Sequence, residues 1–411
     1  MASIYTLFFF WGAVACLFPD RETDYYALPY IVSEYTSETL TFFSQCNLHL
    51  NTTFVDETEY ILKRQAPRNC IFINFCPLED VPDHLVPGIK FPHLKIATSC
   101  SSRGPATEQA GLVLLMKVLW AFSVIHTDRF VLSGFRLSTD PGISGHIFRR
   151  VSLQSLPILA TDWVFLEGVS SSVARWVFEN TIIGGGTGAL TLVVTNIADA
   201  KTLDFLDSLK HPTLMSLGLC QMPNLRSLKC RFLCENRVVK YLSLSTLNRL
   251  KGISPEVVMA VASHQWEYIL ADAHLWVYLN ELPGRLINVE HLSLLFCFNQ
   301  VACTRFSPPP GVPNMHVKYV TLVNGKGLHT MSIYTTRWLL LWVCPRFTDL
   351  ETIAIHTSTL HACLVKYIQD HVFCIRPYPR LKSLVINAHH CTLLDPSKTE
   401  LPQSSKICYF P

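Results

Sequence analysis

Apolar residues recur along this chain in a spaced triplet, L-x-x-L-x-L, with aliphatic substitutions. It stands at Leu214-x-x-Leu217-x-Leu219, Val239-x-x-Leu242-x-Leu244 and Val289-x-x-Leu292-x-Leu294. Val317-x-x-Val320-x-Leu322, Leu350-x-x-Ile353-x-Ile355 and Leu381-x-x-Leu384-x-Ile386 follow. Weaker copies come earlier, at Phe91-x-x-Leu94-x-Ile96, at Phe148-x-x-Val151-x-Leu153 and around Leu190 to Val194. The alternation that closes each phrase is the two-residue period of a strand, whose successive side chains point to opposite faces. The last positions fall at 219, 244, 294, 322, 355 and 386, so the spacing is irregular, and the interval from 244 to 294 has room for one degenerate copy. Leu225-x-x-Leu228-x-Cys230 is out of step, close behind its predecessor.

Between the phrases the period lengthens to that of a helix. Ser254 followed by Pro255 predicts an N-cap with proline at the first helical position. Val257, Val258, Val261, Ile269 and Leu270 continue the helical face, with a break expected near His264. Ser358 predicts a second cap, ahead of Leu360, Leu364, Tyr367, Ile368 and Val372 on one face. Segments 108–125, 171–182 and 201–210 read as helices too. Strand phrases alternating with helices of about 10–15 residues indicate parallel β/α units.

These phrases resemble leucine-rich repeats. The resemblance covers residues 91–400 and is clearest from 212 onward. It implies an α/β fold, a curved solenoid with a parallel concave sheet and convex helices. Each short unit cannot bury its apolar face alone, so neighbours stack. The chain departs from the family at the Asn or Cys that follows the strand phrase, which is clear only as Cys297. The irregular units and apolar leader are similar to secreted repeat proteins of microsporidian-like intracellular parasites. Residues 17–90 lack the phrase and read as a capping region, with an apolar strand at 69–75 and loops at Pro77, Pro82 and Pro87. Ser307 to Gly311 reads as an inter-unit loop, and 401–411 as a polar tail.

The first sixteen residues, MASIYTLFFFWGAVAC, hold an apolar block with small residues at Ala13 and Ala15, the pattern of a cleaved signal peptide cut after 15 or 16. The block is too short to span a bilayer. A secreted chain without a stable membrane anchor is expected. The 15 cysteines suit an oxidising compartment, with Cys70/Cys76, Cys230/Cys234 and Cys297/Cys303 as candidate disulfides and buried packing as the other reading. Asn51 is an N-glycosylation sequon.

Composition narrows the function. With 49% hydrophobic residues in 411, disorder over most of the chain is excluded. With 34 basic and 31 acidic residues there is no footprint for nucleic acid. Catalytic signals are weak. The glycine run 184–188 precedes a strand rather than a helix, so it reads as a helix C-terminal turn and not a phosphate loop. Gly142-Ile-Ser144-Gly-His146 approaches a hydrolase elbow, but histidine stands where the last glycine belongs. His389-His390-Cys391 reads as an edge turn rather than a metal site. No cofactor is implied.

If the phrases are strands, the residues flanking the middle leucine project away from the core. The preceding column holds Ser216, Tyr241, His291, Tyr319, Thr352 and Ser383; the following one holds Gly218, Ser243, Ser293, Thr321, Ala354 and Val385. The expected contact surface is Tyr241, Ser243, His291, Ser293, Tyr319, Thr321 and Thr352, since tyrosine suits binding hot spots. The function expected is non-catalytic binding of a protein partner. A structural coat or wall component is the alternative, and a hydrolase using Ser144 and His146 ranks behind it.

Overall fold

The computed structural model describes residues 69–73, 89–97, 115, 119, 124–136, 156–184, 190–280, 286–296, 314–324, 347–356, 382–386 and 389–392. The leader, Asn51, the Ser144 stretch, the Phe148 copy, the segment after Ser358, the 307–311 loop and the tail lie outside the described residues, as do Cys76, Cys297 and Cys303. No helix among the described residues is long and apolar enough to cross a membrane.

One large sheet dominates. Its strands are β1 (Asn69–Ile73), β2 (Ile89–Ala97), β3 (Val124–Ser133), β4 (Ile158–Glu167), β5 (Ile182–Gly184), β6 (Leu190–Thr195) and β7 (Leu214–Cys220). A two-residue β8 (Ser227–Leu228) stands apart, followed by β9 (Val238–Ser245), a two-residue β10 (Gly252–Ile253), β11 (Gln265–Asp272), β12 (Asn288–Phe296), β13 (Tyr319–Asn324) and β14 (Thr352–His356). β15 (Ser383–Ile386) and β16 (His389–Thr392) end the described chain. The 14-stranded sheet runs in sequence order from β1 to β16, with β8 and β10 left out and β5 attached to β4. Every pairing in it is parallel except β15 with β16. β8 and β10 pair in parallel with each other. The connections hold α1 (Ser171–Asn180), a 3-10 helix (Asp204–Ser208), α2 (Arg231–Cys234), α3 (Pro255–Ser263) and α4 (Ala273–Asn280).

The spaced triplet explains the strands. Leu214, Leu217 and Leu219 are fully buried, as are Val289, Leu292 and Leu294, and Leu350, Ile353 and Ile355 to within 1%. Register partners repeat this from strand to strand, so Leu217, Leu242, Ile269, Leu292, Val320 and Ile353 form one continuous apolar rib. Each such leucine contributes about 1.5–3 kcal/mol by leaving water.

The vacant interval between 244 and 294 is filled by β11, with Trp266, Ile269 and Ala271 as its buried triplet. Ile269 and Leu270 therefore belong to a strand and not to the helix that begins at Pro255. That helix is α3; the Ser254 hydroxyl accepts from Val257 N at 3.4 Å, and the helix ends at His264. Helix 171–182 stops at Asn180, and 201–210 shortens to the 3-10 turn. The glycine run does not end a helix: Gly184 closes β5, and 185–188 lie outside the described residues. Of 108–125, Leu115 is helical but Ile125 is already in β3. The apolar run at Asn69 extends the same sheet as β1. His389, His390 and Cys391 lie in β16, antiparallel to β15, rather than in a turn.

Val239 is not the inward residue of its phrase. It is 41% exposed, and Val238 is buried instead. Leu190, Leu214 and Val238 are register partners although they stand two, three and four positions before their middle leucines; register shifts beside Leu190 and Leu214 absorb the extra residues. The out-of-step Leu225-x-x-Leu228-x-Cys230 supplies β8, outside the main sheet, where Leu225, Leu228 and Cys230 are all buried.

A second repeat lies at the strand exits. Gly134, Gly168, Asn196, Gln221 and Thr246 each follow the last strand residue with φ between 51° and 81°. Glycine adopts this left-handed region freely, whereas a β-branched threonine does so only under constraint. Gly168 N donates to Thr195 O at 2.9 Å, Asn196 N to Cys220 O at 3.1 Å and Gln221 N to Ser245 O at 3.0 Å. At Thr246 the acceptor is a side chain: Asp272, 2% exposed, accepts from Thr246 N at 2.8 Å and Leu247 N at 2.9 Å. The next residue is buried and apolar every time: Phe135, Val169, Ile197, Met222 and Leu247. This is the place where the resembled repeats carry Asn or Cys. Here apolar packing fills it.

Candidate functional site

The sheet face opposite the apolar rib carries the chemistry. Tyr241, Tyr268, His291, Tyr319 and Thr352 are successive register partners on β9, β11, β12, β13 and β14. Strands about 4.8 Å apart bring such cross-strand side chains into contact. The His291 and Tyr319 rings stack with centroids 4.3 Å apart and planes 10° from parallel. His291 is exposed, Tyr241, Tyr319 and Thr352 are half-buried, and Tyr268 is 8% exposed. The next row runs Ser243, Leu270, Ser293 and Thr321. Ser293 is 3% exposed, so it lies in the floor beside the aromatic row, while Ser243 and Thr321 are half-buried.

Six of the seven contact residues expected from the sequence are thus accessible on one face, and the seventh, Ser293, is nearly covered. Tyr268 and Leu270 complete the two rows and were missed, because Trp266 and Ala271 stand where leucines mark the other copies. Admitting tryptophan and alanine to the triplet would have found them.

A flanking charge column was missed as well. The second position of the phrase reads Lys240, Glu267, Glu290, Lys318, Glu351 and Lys382. Cross-strand ion pairs join Lys240 Nζ to Glu267 at 2.6 Å, Lys318 Nζ to Glu290 at 3.0 Å and Lys382 Nζ to Glu351 at 2.7 Å. The three lysines and three glutamates of this column were visible in the sequence once the copies were aligned. Glu267 also accepts the Tyr241 hydroxyl at 2.7 Å. Burial, and then the Glu267 carboxylate, push the Tyr241 phenol up to about 12, so it stays a donor at physiological pH. Burial pulls Glu267 upward, but Lys240 and Tyr241 outweigh it and hold the carboxyl below its usual range.

An open hollow of about 280 Å³ lies beside this column, lined by Val239, Lys240, Gln265, Trp266, Glu267, Asn288 and Glu290. Further along the face, Trp163 and Phe165 on β4 lie parallel with centroids 6.0 Å apart, and the Arg129 guanidinium sits 5.6 Å and 5.4 Å from them. Arg129 and Trp163 are register partners in the same row as Tyr241, while Phe165 falls in the next row, that of Ser243.

Cys230 and Cys234 are free thiols, which removes the disulfide expected between them. Cys230 is buried at the start of α2, and burial pushes its thiol up to about 11. Among the described residues no group of three or more His, Cys, Asp or Glu is placed to hold a metal ion. Comparison with protein-family models, curated proteins and solved structures gave no match.

Proposed function

We propose that this chain is a secreted leucine-rich-repeat solenoid that binds another protein, without catalysis, through the face bearing Tyr241, His291 and Tyr319. On this reading the sheet is the concave ribbon, the short helices and the β8–β10 pair lie on the convex side, and residues 17–90 cap one end. The leader at 1–16 directs export and is removed.

One observation carries the proposal: large rings with polar tips occupy one register row on four adjacent strands, flanked by a column of paired charges. Tyrosine offers wide contact area at low entropic cost, and such residues dominate binding energies at about 2 kcal/mol or more each. Because Lys240, Lys318 and Lys382 are paired on the sheet itself, the flank presents little net charge to a partner. Discrimination then rests on shape and hydrogen bonding.

Replacing Tyr241, His291 and Tyr319 together by alanine leaves the apolar rib untouched and removes three contacts. At about 2 kcal/mol each, capture of the natural partner should weaken by roughly ten-thousand-fold. Proximity labelling from the mature protein identifies the partner, and pull-down compares the two forms. Equal capture by a correctly folded triple variant would place the binding surface elsewhere.

A further inference from the structure

The hollow beside the charge column lies where β9, β11 and β12 begin. Val239 on β9 presents an apolar side chain to it, 41% exposed. His264 fixes that strand end: its Nε2 donates to Val239 O at 2.7 Å, and its ring stands edge-on to the buried Trp266 with centroids 4.6 Å apart. Gln265 and Asn288 are register partners on β11 and β12, and both line the hollow. Among the described residues, neither side-chain amide has a hydrogen-bond partner. The charged groups are already neutralised. Glu267 holds Lys240 Nζ at 2.6 Å with one oxygen and the Tyr241 hydroxyl with the other. Glu290 holds Lys318 Nζ at 3.0 Å through Oε1, which leaves Oε2 as an acceptor.

We infer that this hollow binds an uncharged sugar ring, either as a free sugar or as one residue of a glycan. The inference is independent of the protein-binding reading above and uses other residues. An ionic ligand gains little here, because each carboxylate already faces a lysine and an unpaired charge is costly to strip of water. What the walls offer is hydrogen bonding to neutral groups. Each amide supplies two N–H donors and a carbonyl acceptor, and Glu290 Oε2 accepts. These groups come from adjacent strands, about 4.8 Å apart, and converge beside one apolar side chain. A sugar ring matches that set. Its hydroxyls both donate and accept, so neighbouring hydroxyls reach Gln265 and Asn288, a third reaches Glu290, and the C–H face covers Val239. A space of about 280 Å³ is at the small end of ligand sites, which suits a single ring. The open mouth lets an attached chain continue outward. A peptide strand would also meet the amides, but it needs a longer groove.

The probes are methyl glucoside, methyl mannoside and methyl galactoside. Glucuronate and glucosamine serve as the same kind of ring carrying a charge, and N-acetylglycinamide as a peptide-like amide. Affinities for the full chain are read by saturation-transfer NMR from the probe's own signals. At least one methyl glycoside should bind and should shift the side-chain NH₂ resonances of Gln265 and Asn288. Its affinity should fall by about ten-fold or more in Gln265→Ala/Asn288→Ala, which removes two hydrogen-bonding amides. It should also fall in Val239→Ser, a surface change that leaves the core intact, and stay unchanged in His291→Ala/Tyr319→Ala. A hexasaccharide of the same sugar separates the two sources: retained binding marks a glycan, lost binding a free sugar. The inference is overturned if none of the three methyl glycosides binds, or if binding survives undiminished in Gln265→Ala/Asn288→Ala. Tighter binding of a charged ring or of the amide, or loss of binding in His291→Ala/Tyr319→Ala, would overturn it as well.

Discussion

Leu247→Asn puts the most informative question to this fold. Leu247 stands where the resembled repeats carry Asn or Cys, follows the left-handed residue Thr246, and is fully buried. If an asparagine were what the turn required, the change would restore a missing hydrogen-bonding residue and stabilise the protein. The structure argues the reverse. The backbone N–H groups of Thr246 and Leu247 are already held by the two oxygens of Asp272, at 2.8 and 2.9 Å. The equivalent positions in neighbouring turns, Ile197 and Met222, are fully buried and apolar. The substitution loses about 1.5–3 kcal/mol of apolar burial. It also strands an amide at a further cost of about 1–3 kcal/mol. The expected destabilisation is about 2.5–6 kcal/mol, at or beyond that of Leu247→Ala at about 2–5 kcal/mol. Urea unfolding followed by circular dichroism measures it, read from the midpoint with the slope checked for change, since stacked units need not unfold in one step. An asparagine variant as stable as wild type, or clearly more stable than the alanine variant, would refute the view that apolar packing has replaced the polar turn.

Two further expectations follow from buried titrating groups. His211 is 6% exposed, and burial first, then the Arg237 charge, hold its imidazole below 6.5 despite a favourable backbone contact at Thr213. The unfolded chain therefore takes up the proton first, so this contribution is intact above about pH 6.5 and is lost as pH falls toward the folded value. The thermal midpoint should drop between pH 7.5 and 5.5, and less so in His211→Gln; equal drops would contradict it. Cys230 and Cys220 are buried with thiols pushed up to about 11, and Cys234 is half-buried. A maleimide at pH 8 should modify Cys234 first and the other two only after denaturation, with peptide mapping as the readout; a Cys230–Cys234 bridge in the native protein would count against the structure.

The sequence by itself determined which stretches become strands wherever the triplet is leucine, isoleucine or valine, because burial on a two-residue period leaves that signature whatever surrounds it. It also marked α3 through Ser254 and Pro255, since a cap is a local interaction within one turn. It placed Tyr241, His291 and Tyr319 on one face, because alternation alone fixes which residues leave the core. What it did not determine is where unlike residues serve the same role. Thr127 and Thr161 open the triplets of β3 and β4, 3% and 1% exposed, and they do so because each hydroxyl donates to the carbonyl two residues on, at 2.9 Å. Trp266 is buried in register with Val289, and Ala271 between Leu244 and Leu294, so their place in β11 is decided by neighbouring strands. Val238 replaced Val239 through register, which is decided between strands. Ile269 and Leu270 carried a helical spacing yet lie between β9 and β12, and each pairs in parallel register with both strands. The ion-paired column and the His291–Tyr319 stack are contacts between residues 27 to 31 positions apart, and only the stacking of one unit on the next brings them together.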